Sequence, residues 1–275
     1  MISFDFEYYK PETLEEAVLC YHQLVSHNKH PLYYGGGTEI VSMARAESLR
    51  FDAVIDLKGI PECSYMGFED NSLVLGSALT LTQIAEAGHY PLLCETAARI
   101  ADHTIQGKIT LGGNLAGTVK YRETSLPLMI TNCKAKVMTQ NGLQELLFSQ
   151  IFDGHLRLQK GDFLVQLFVD QNKLLLPYAH VKKTKMDKID YPLITLVGNK
   201  SSLKIKAAVS GLANCPLILP SDLLSNTMLT EEERITQITE QIKGSVISDY
   251  LGSKEYRIFV LRNILLQMYE NFKGE

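Results

Sequence analysis

The 275-residue sequence predicts an α+β fold in two parts, and three observations predict it. Helical and strand-like segments alternate through the first part. Two glycine-rich stretches follow apolar segments there, and beyond about residue 172 the text turns to strands separated by turns and closed by two helices. With 45% hydrophobic and 21% charged residues, the composition is that of a globular protein with a sizeable core.

Each element has its own signal. Thr13 and Glu16 form a T-x-x-E capping box ahead of Leu14, Ala17, Val18, Tyr21, Leu24 and Val25 at helical spacing, so an amphipathic helix should lay one face on a sheet. A short strand leads into "YYGGGTEIV" (Tyr33 to Val41), and "DAVIDL" (Asp52 to Leu57) is the next strand, a β-α-β layout whose middle helix is left open. "SLVLGSA" is the clearest strand between Tyr65 and Ala78. Helices are expected over about Thr80 to Ala87 and Pro91 to His103, with Pro91 suited to a first helical position. In "TLGGNLAG" (Thr110 to Gly117) glycine and threonine replace helical periodicity, which reads as a second loop. "KAKVMTQ" and "LQELLF", joined by Asn141-Gly142, read as a hairpin, and "DFLVQLFVD" follows. "LLLPYAHVKK", "PLITLVGNK" and "SLKIKAAVSG", the last alternating at Leu203, Ile205, Ala207 and Val209, suggest a three-stranded antiparallel sheet. Helices near Glu231 to Lys243 and Glu255 to Phe272 end the chain.

Several function classes are disfavoured. The net charge of -4, from 27 basic and 31 acidic residues scattered along the chain, gives no nucleic-acid surface. The amino terminus has no basic n-region with an apolar run behind it, and no stretch approaches the roughly 18–20 apolar residues of a membrane span, so a cytoplasmic protein without membrane contact is expected. Cys20, Cys63, Cys94, Cys133 and Cys215 contain no C-x-x-C pair, which argues against a disulfide framework, a zinc site or an iron–sulfur cluster on this chain; they read as small buried hydrophobes. The histidines show no H-E-x-x-H spacing and no serine sits in a G-x-S-x-G elbow, so no catalytic or metal-ligating residue is assigned.

The glycine stretches carry the chemistry. Glycine permits positive φ and removes the Cβ that would hold a ligand off the backbone N–H groups, so "GGGT" after a strand is suited to a phosphate or diphosphate. Alone it reads first as a tight turn with no ligand, being neither a Walker A loop nor a G-x-G-x-x-G fingerprint. "TLGGN" repeats the chemistry with a hydroxyl, two glycines and a carboxamide, and two such loops can clamp one diphosphate.

"YYGGGTEIV" with "TLGGNLAG" resembles the paired loops of the FAD-binding subunit of molybdenum hydroxylases, the xanthine dehydrogenase and carbon monoxide dehydrogenase group. The resemblance covers essentially the whole chain. "YYKPETLEEAV", "VIDLKGIPE", "SLVLGSALTLTQI" and the closing Ser253, Tyr256 and Arg257 fall in the family's order. It implies a PCMH-type FAD-binding domain over residues 1–172, with subdomains of about 1–58 and 59–172, and a C-terminal domain over 173–275.

Position by position, the resemblance implies Tyr34, Gly35, Gly36, Gly37 and Thr38 as one half of the diphosphate clamp and Thr110, Gly112, Gly113 and Asn114 as the other. Glu39 would fix the loop or a cofactor hydroxyl. Glu123 stands where the family has an aspartate on the ribityl chain. Phe163 and Leu164 would lie against the flavin, and Lys182 would approach the isoalloxazine ring, where a cation stabilises the reduced form. A solvated basic strand end with Lys183, Lys185 and Lys188 is the other reading of that lysine. Asp190 matches a family aspartate of structural role. The sequence departs from the family pattern at Gln106, Gly107, Val119 and Lys120. The resemblance further implies partner subunits carrying [2Fe-2S] and molybdopterin, electron transfer to NAD⁺ or another acceptor, and a purine or other N-heterocycle as substrate of the complex. A cofactor-free scaffold subunit and a stand-alone flavin reductase are the competing readings.

Overall fold

The Thr13 hydroxyl accepts a hydrogen bond from the Glu16 N–H at 3.2 Å while the Glu16 carboxylate reaches back to the Thr13 N–H at 3.3 Å, so the capping box starts the helix Leu14–Ser26 as expected. That helix buries Leu14, Ala17, Val18 and Leu24, while Val25, placed by its spacing in the apolar stripe, is exposed near the helix end. The computed structural model describes residues 1–184, 190–202 and 204–273. Leu203, Lys185 and Lys188 therefore lie outside the described residues.

Beneath the helix, β1 (Glu7–Tyr9), β2 (Pro31–Tyr34) and β3 (Ala53–Asp56) form a parallel sheet in the order β1-β3-β2. The helix left open between β2 and β3 is formed, over Thr38–Arg45. A second sheet, antiparallel, has the order β4-β5-β8-β6-β7, from β4 (Met66–Glu69), β5 (Ser72–Gly76), β6 (Lys134–Thr139), β7 (Gly142–Leu147) and β8 (Phe163–Asp170). Thr139 pairs with Gly142 across the hairpin, so Gln140 and Asn141 make the turn and Gly142, at φ +101°, takes the left-handed position beside it.

Two helical expectations need correction. The helix from Pro91 ends at Ala98 rather than His103. Ala101 adopts φ +55°, and the buried Gln106 amide donates to the carbonyls of Ala98, Ile100 and Ala101 at 3.0, 2.9 and 3.2 Å, holding a sharp bend. "TLGGNLA" is not an irregular loop either: Thr110 caps a short helix, Leu111–Ala116. Two glycines in a six-residue helix remove the apolar stripe by which it could be read.

The C-terminal sheet has four strands, in the order β12-β11-β10-β9: β9 (Tyr178–Thr184), β10 (Pro192–Lys200), β11 (Ile205–Ser210) and β12 (Leu217–Ile218). The strand missing from the three-stranded expectation is β12, whose two residues are too few to show alternation. Val197 and Ala208 pack into the core shared with the antiparallel sheet, and Leu196 and Val209 into the core made with the Lys254–Lys273 helix. The sheet is thus buried on both faces, which explains why "PLITLVG" reads as a continuous apolar run.

The closing motif has a structural cause. The Ser253 hydroxyl accepts from the Tyr256 N–H at 3.2 Å, and the fully buried Arg257 donates to Leu193 O at 2.6 Å, Gly211 O at 2.5 Å and Asp249 Oδ1 at 2.5 Å. Burial works to raise the Asp249 carboxyl, yet hydrogen bonds from Lys120, the Leu251 N–H and Arg257 bring it down to about 2.

Candidate functional site

β2 delivers the chain into Gly35, Gly36 and Gly37, and Gly37, at φ +69°, is the N-cap of the Thr38–Arg45 helix. A glycine cap brings no side chain to the helix end, and the first-turn N–H groups have no intrahelical acceptor. Among the described residues the N–H groups of Gly36 and Gly37 also find no protein acceptor. Consecutive free N–H groups at the positive end of a helix make an anion nest.

The same glycines are required by packing. A Cβ on Gly36 would sit 1.6 Å from the Lys108 carbonyl oxygen, and one on Gly35 2.5 Å from Thr110 Oγ1, so the two glycine segments touch each other. Glu39 fastens them again: its Oε1 accepts from the Thr118 N–H at 2.7 Å and from the Thr118 hydroxyl, just past the second glycine helix.

That second segment works differently from the first. The N–H of Leu111 goes to Leu79 O at 2.8 Å, that of Gly112 to Ser77 O at 2.7 Å, that of Gly113 to Thr110 Oγ1 at 3.1 Å and that of Asn114 to Thr110 O at 2.8 Å. Its backbone donors are spent. What it offers a ligand is the hydroxyl hydrogen of Thr110, whose oxygen already accepts, and the Asn114 side-chain NH₂, turned outward because Asn114 Oδ1 accepts from the Thr124 N–H at 3.3 Å and hydroxyl at 2.6 Å. A Cβ on Gly113 would meet only Thr110 Oγ1, at 2.8 Å, so this position is otherwise open to an approaching ligand.

Between the two segments lies a cleft of about 760 Å³. Gly35, Gly36, Gly37, Thr38, Glu39, Thr110, Gly113, Asn114, Glu123 and Lys182 all line it, with apolar side chains of Ile40, Met43, Ile100 and Ile109. An adjoining cavity of about 160 Å³ takes Gly112, Phe163 and Leu164. Tyr34 lines neither: its ring lies under Gly37, where a Cβ would stand 2.1 Å from Tyr34 Oη. Its neighbour Tyr33 lines both, packed against Tyr21 and Phe163 at 5.2 and 4.7 Å between ring centres, with its hydroxyl donating to Gly161 O at 2.7 Å. Alternation along a strand puts the two tyrosines on opposite faces, and only the fold decides which face meets the cleft.

Glu123 and Lys182, 59 residues apart, meet in the cleft wall. Glu123 Oε1 accepts from Thr195 Oγ1 at 2.6 Å, Oε2 lies 3.1 Å from Lys182 Nζ, and that ammonium also donates to Arg99 O at 2.7 Å. Lys183, next to the end of the strand on the opposite face, is itself exposed, so the basic run divides, with Lys182 inward. His180, on the inward face, has its imidazole pushed down to about 3 by burial, with Arg99 and Lys182 adding to the shift. Asp190 lines the cleft, and its Oδ1 accepts from the Tyr191 N–H at 2.7 Å.

The departures from the family pattern have visible uses. Gln106 braces the bend before the second glycine helix, Lys120 pairs with Asp249 at 2.5 Å, and Val119 lines the cleft. Two cleft residues escaped the sequence reading besides Tyr33. Tyr121 stacks on Tyr191 at 5.0 Å, and Arg122, at φ +36°, donates to Gly117 O and Gly154 O at 2.8 and 3.0 Å. Neither sits in a glycine motif that would mark it.

The donor set fits an extended dinucleotide: free N–H groups on one side, a hydroxyl and a carboxamide on the other, the open Cα of Gly113 between, and apolar side chains beyond. Comparison with known proteins agrees. The family model for the FAD binding domain in molybdopterin dehydrogenase matches residues 4–170, and the chain belongs to that family. It is similar to the xanthine dehydrogenase FAD-binding subunit of Escherichia coli O157:H7, 25% identical over 95% of this chain and 94% of that one. It also resembles the nicotinate dehydrogenase FAD-subunit of Eubacterium barkeri, 25% identical over 74% of this chain and 70% of that one. Among solved structures, reconstituted CO dehydrogenase from Oligotropha carboxidovorans superposes with a TM-score of 0.85 at 20% identity over 100% of this chain and 99% of its counterpart. Quinoline 2-oxidoreductase from Pseudomonas putida 86 gives 0.84 at 18% identity, over 100% and 99%. The fold is that of these flavoprotein subunits, and the chain is a FAD-binding subunit of a molybdenum-hydroxylase-type dehydrogenase. No helix among the described residues is long and apolar enough to cross a membrane.

Proposed function

We propose that this subunit carries FAD between a [2Fe-2S] subunit, from which it takes electrons, and NAD⁺ or another acceptor, while a separate molybdopterin-binding subunit hydroxylates a purine or other N-heterocycle. Bound FAD would supply the step between one-electron donors and a two-electron acceptor. The protein binds and orients. Gly36, Gly37 and the first turn of the Thr38–Arg45 helix would hold the diphosphate from one side, Thr110 and Asn114 from the other, with Gly113 leaving room for close approach and Gly112 packed on Ser77 behind it. Glu123 and Lys182 would stand by the ribityl chain and ring, and Phe163 and Leu164 would pack against the cofactor from the adjoining cavity.

The observation that carries this reading is the pair of unpartnered N–H groups at Gly36 and Gly37 opposite the oriented Asn114 amide. Lys182 is already paired with Glu123, so it would act on the flavin as a fixed half of an ion pair rather than as a free cation. We assign the cofactor-binding domain to residues 1–172 and the C-terminal domain to 173–275, in a cytoplasmic hetero-oligomer. The test is purification of the chain with and without its co-expressed partner subunits. Flavin absorbance on the chain, iron and molybdenum on the partners, and NAD⁺-coupled oxidation of xanthine or a pyridine carboxylate by the assembled complex are the expected results. A colourless chain that still assembles would instead favour the scaffold reading.

A further inference from the structure

Beside the triple glycine, outside the lining of the cleft, lies a second cluster. Lys58 Nζ donates to the carbonyl oxygen of Gly35 at 2.7 Å and to Asp56 Oδ1 at 2.8 Å. Asp56 is buried, takes the Lys58 N–H on the same oxygen at 2.9 Å, and accepts from the Tyr8 hydroxyl on its other oxygen at 2.5 Å. The Lys58 ammonium also stands 4.7 Å from the centre of the Tyr34 ring, the ring that underlies Gly37. Lys58 itself lines neither the cleft nor the adjoining cavity.

The geometry has a definite effect. In a trans peptide the C=O and the following N–H point in opposite directions, so anchoring the Gly35 carbonyl on Lys58 turns the Gly36 N–H to the other side of the loop. A glycine-glycine peptide has little conformational preference of its own, and without an anchor its plane could rotate. That N–H is one of the two left without a protein acceptor. Asp56 in turn is fixed at the end of β3, in the centre of the parallel sheet, so the anchor is referred to the sheet rather than to the loop.

We propose that Lys58, held by Asp56 and Tyr8, is a positioning residue for the cofactor: it fixes the Gly35–Gly36 peptide with its N–H toward the diphosphate and places a positive charge behind the anion. The inference rests on the diphosphate reading above. Lys58 has 40% of its side chain exposed, and without its ammonium the Asp56 carboxylate keeps the Tyr8 hydroxyl and the residue-58 N–H, so replacement should leave the chain folded.

The test is titration of the flavin-free 275-residue chain with FAD, alongside its melting temperature. K58M should raise the FAD dissociation constant at least about tenfold, the scale of a charge-assisted hydrogen bond, with a melting temperature within a few degrees of the parent. K58R, which keeps charge and donor, should recover most of the affinity. D56N, which keeps the lysine but weakens its anchor, should give a smaller loss of roughly threefold. Equal FAD affinity in parent and K58M would overturn the proposal while leaving the cleft reading in place. So would a K58R as weak as K58M with melting lowered equally in both. A parent chain that binds no FAD at all would overturn the cleft reading, and this inference with it.

Discussion

Lys182 and Glu123 form an ion pair at 3.1 Å in the cleft wall, with side chains only 5% and 6% exposed. Removing either partner leaves the other charge buried without compensation, so E123A should destabilise the chain by about 3–5 kcal/mol, read by urea unfolding. The double variant E123A/K182M should lose less than the E123A and K182M losses added together, by roughly 1–3 kcal/mol, because the pair is coupled. Additive losses would mean the two side chains act independently.

The two glycine segments should respond oppositely to an added methyl. G36A drives a Cβ into the Lys108 backbone, and a cost of about 3 kcal/mol in the flavin-free chain is expected. G113A meets only the Thr110 hydroxyl, so stability should change by about 1 kcal/mol or less while FAD affinity falls roughly tenfold. Circular dichroism melts and flavin titration of both variants distinguish the positions; an unchanged FAD affinity in G113A would remove that glycine from the clamp.

His180 gives the fold an acid sensitivity. Its folded pKa, about 3, lies below the unfolded value of 6.5, so between those limits the unfolded chain binds a proton that the folded chain refuses. Its contribution is fully present above pH 6.5 and is lost as pH falls toward 3, at about 1.4 kcal/mol per pH unit. H180F should flatten the decline in unfolding free energy between pH 6.5 and 5, where this histidine accounts for about 2 kcal/mol. A parallel decline in parent and variant would assign the acid sensitivity to other groups.

Arg257 ties the start of the last helix to β10 and to the turn after β11. R257M strands the Leu193 and Gly211 carbonyls and leaves Asp249 with Lys120 and the Leu251 N–H, so a loss of about 3–5 kcal/mol is expected in chemical unfolding. The Asp249 carboxyl, low in the parent, should titrate upward in the variant, measurable by its side-chain carbon shift.

Elements with a complete local signal were legible in the sequence. Thr13 and Glu16 specify their cap without help from the rest of the chain, and the alternation through Ile205, Ala207 and Val209 needs only a strand. The glycine segments could be identified as a pair for the same reason: consecutive glycines leave few structural options. What the chain text could not supply was the state of each N–H. Whether the Gly112 N–H is free depends on Ser77, and whether Tyr33 or Tyr34 faces the cleft depends on how β2 sits beside β3. Glu123 and Lys182 were each marked by position, but their mutual contact is made by the packing of β9 and β10 against the segment before the Ser125–Thr131 helix. Lys58 carries no such mark, since a lysine two residues after an aspartate looks like any solvated pair.

The contact of Gly36 with the Lys108 backbone means that the two glycine segments are fastened to each other by the protein itself. A ligand entering such a site has little loop ordering to induce, so the entropic cost falls on the ligand's own torsions rather than on the chain. The flavin-free subunit should therefore already possess the shape it has when loaded, and exchange of cofactor should be governed by how fast the dinucleotide threads an existing channel.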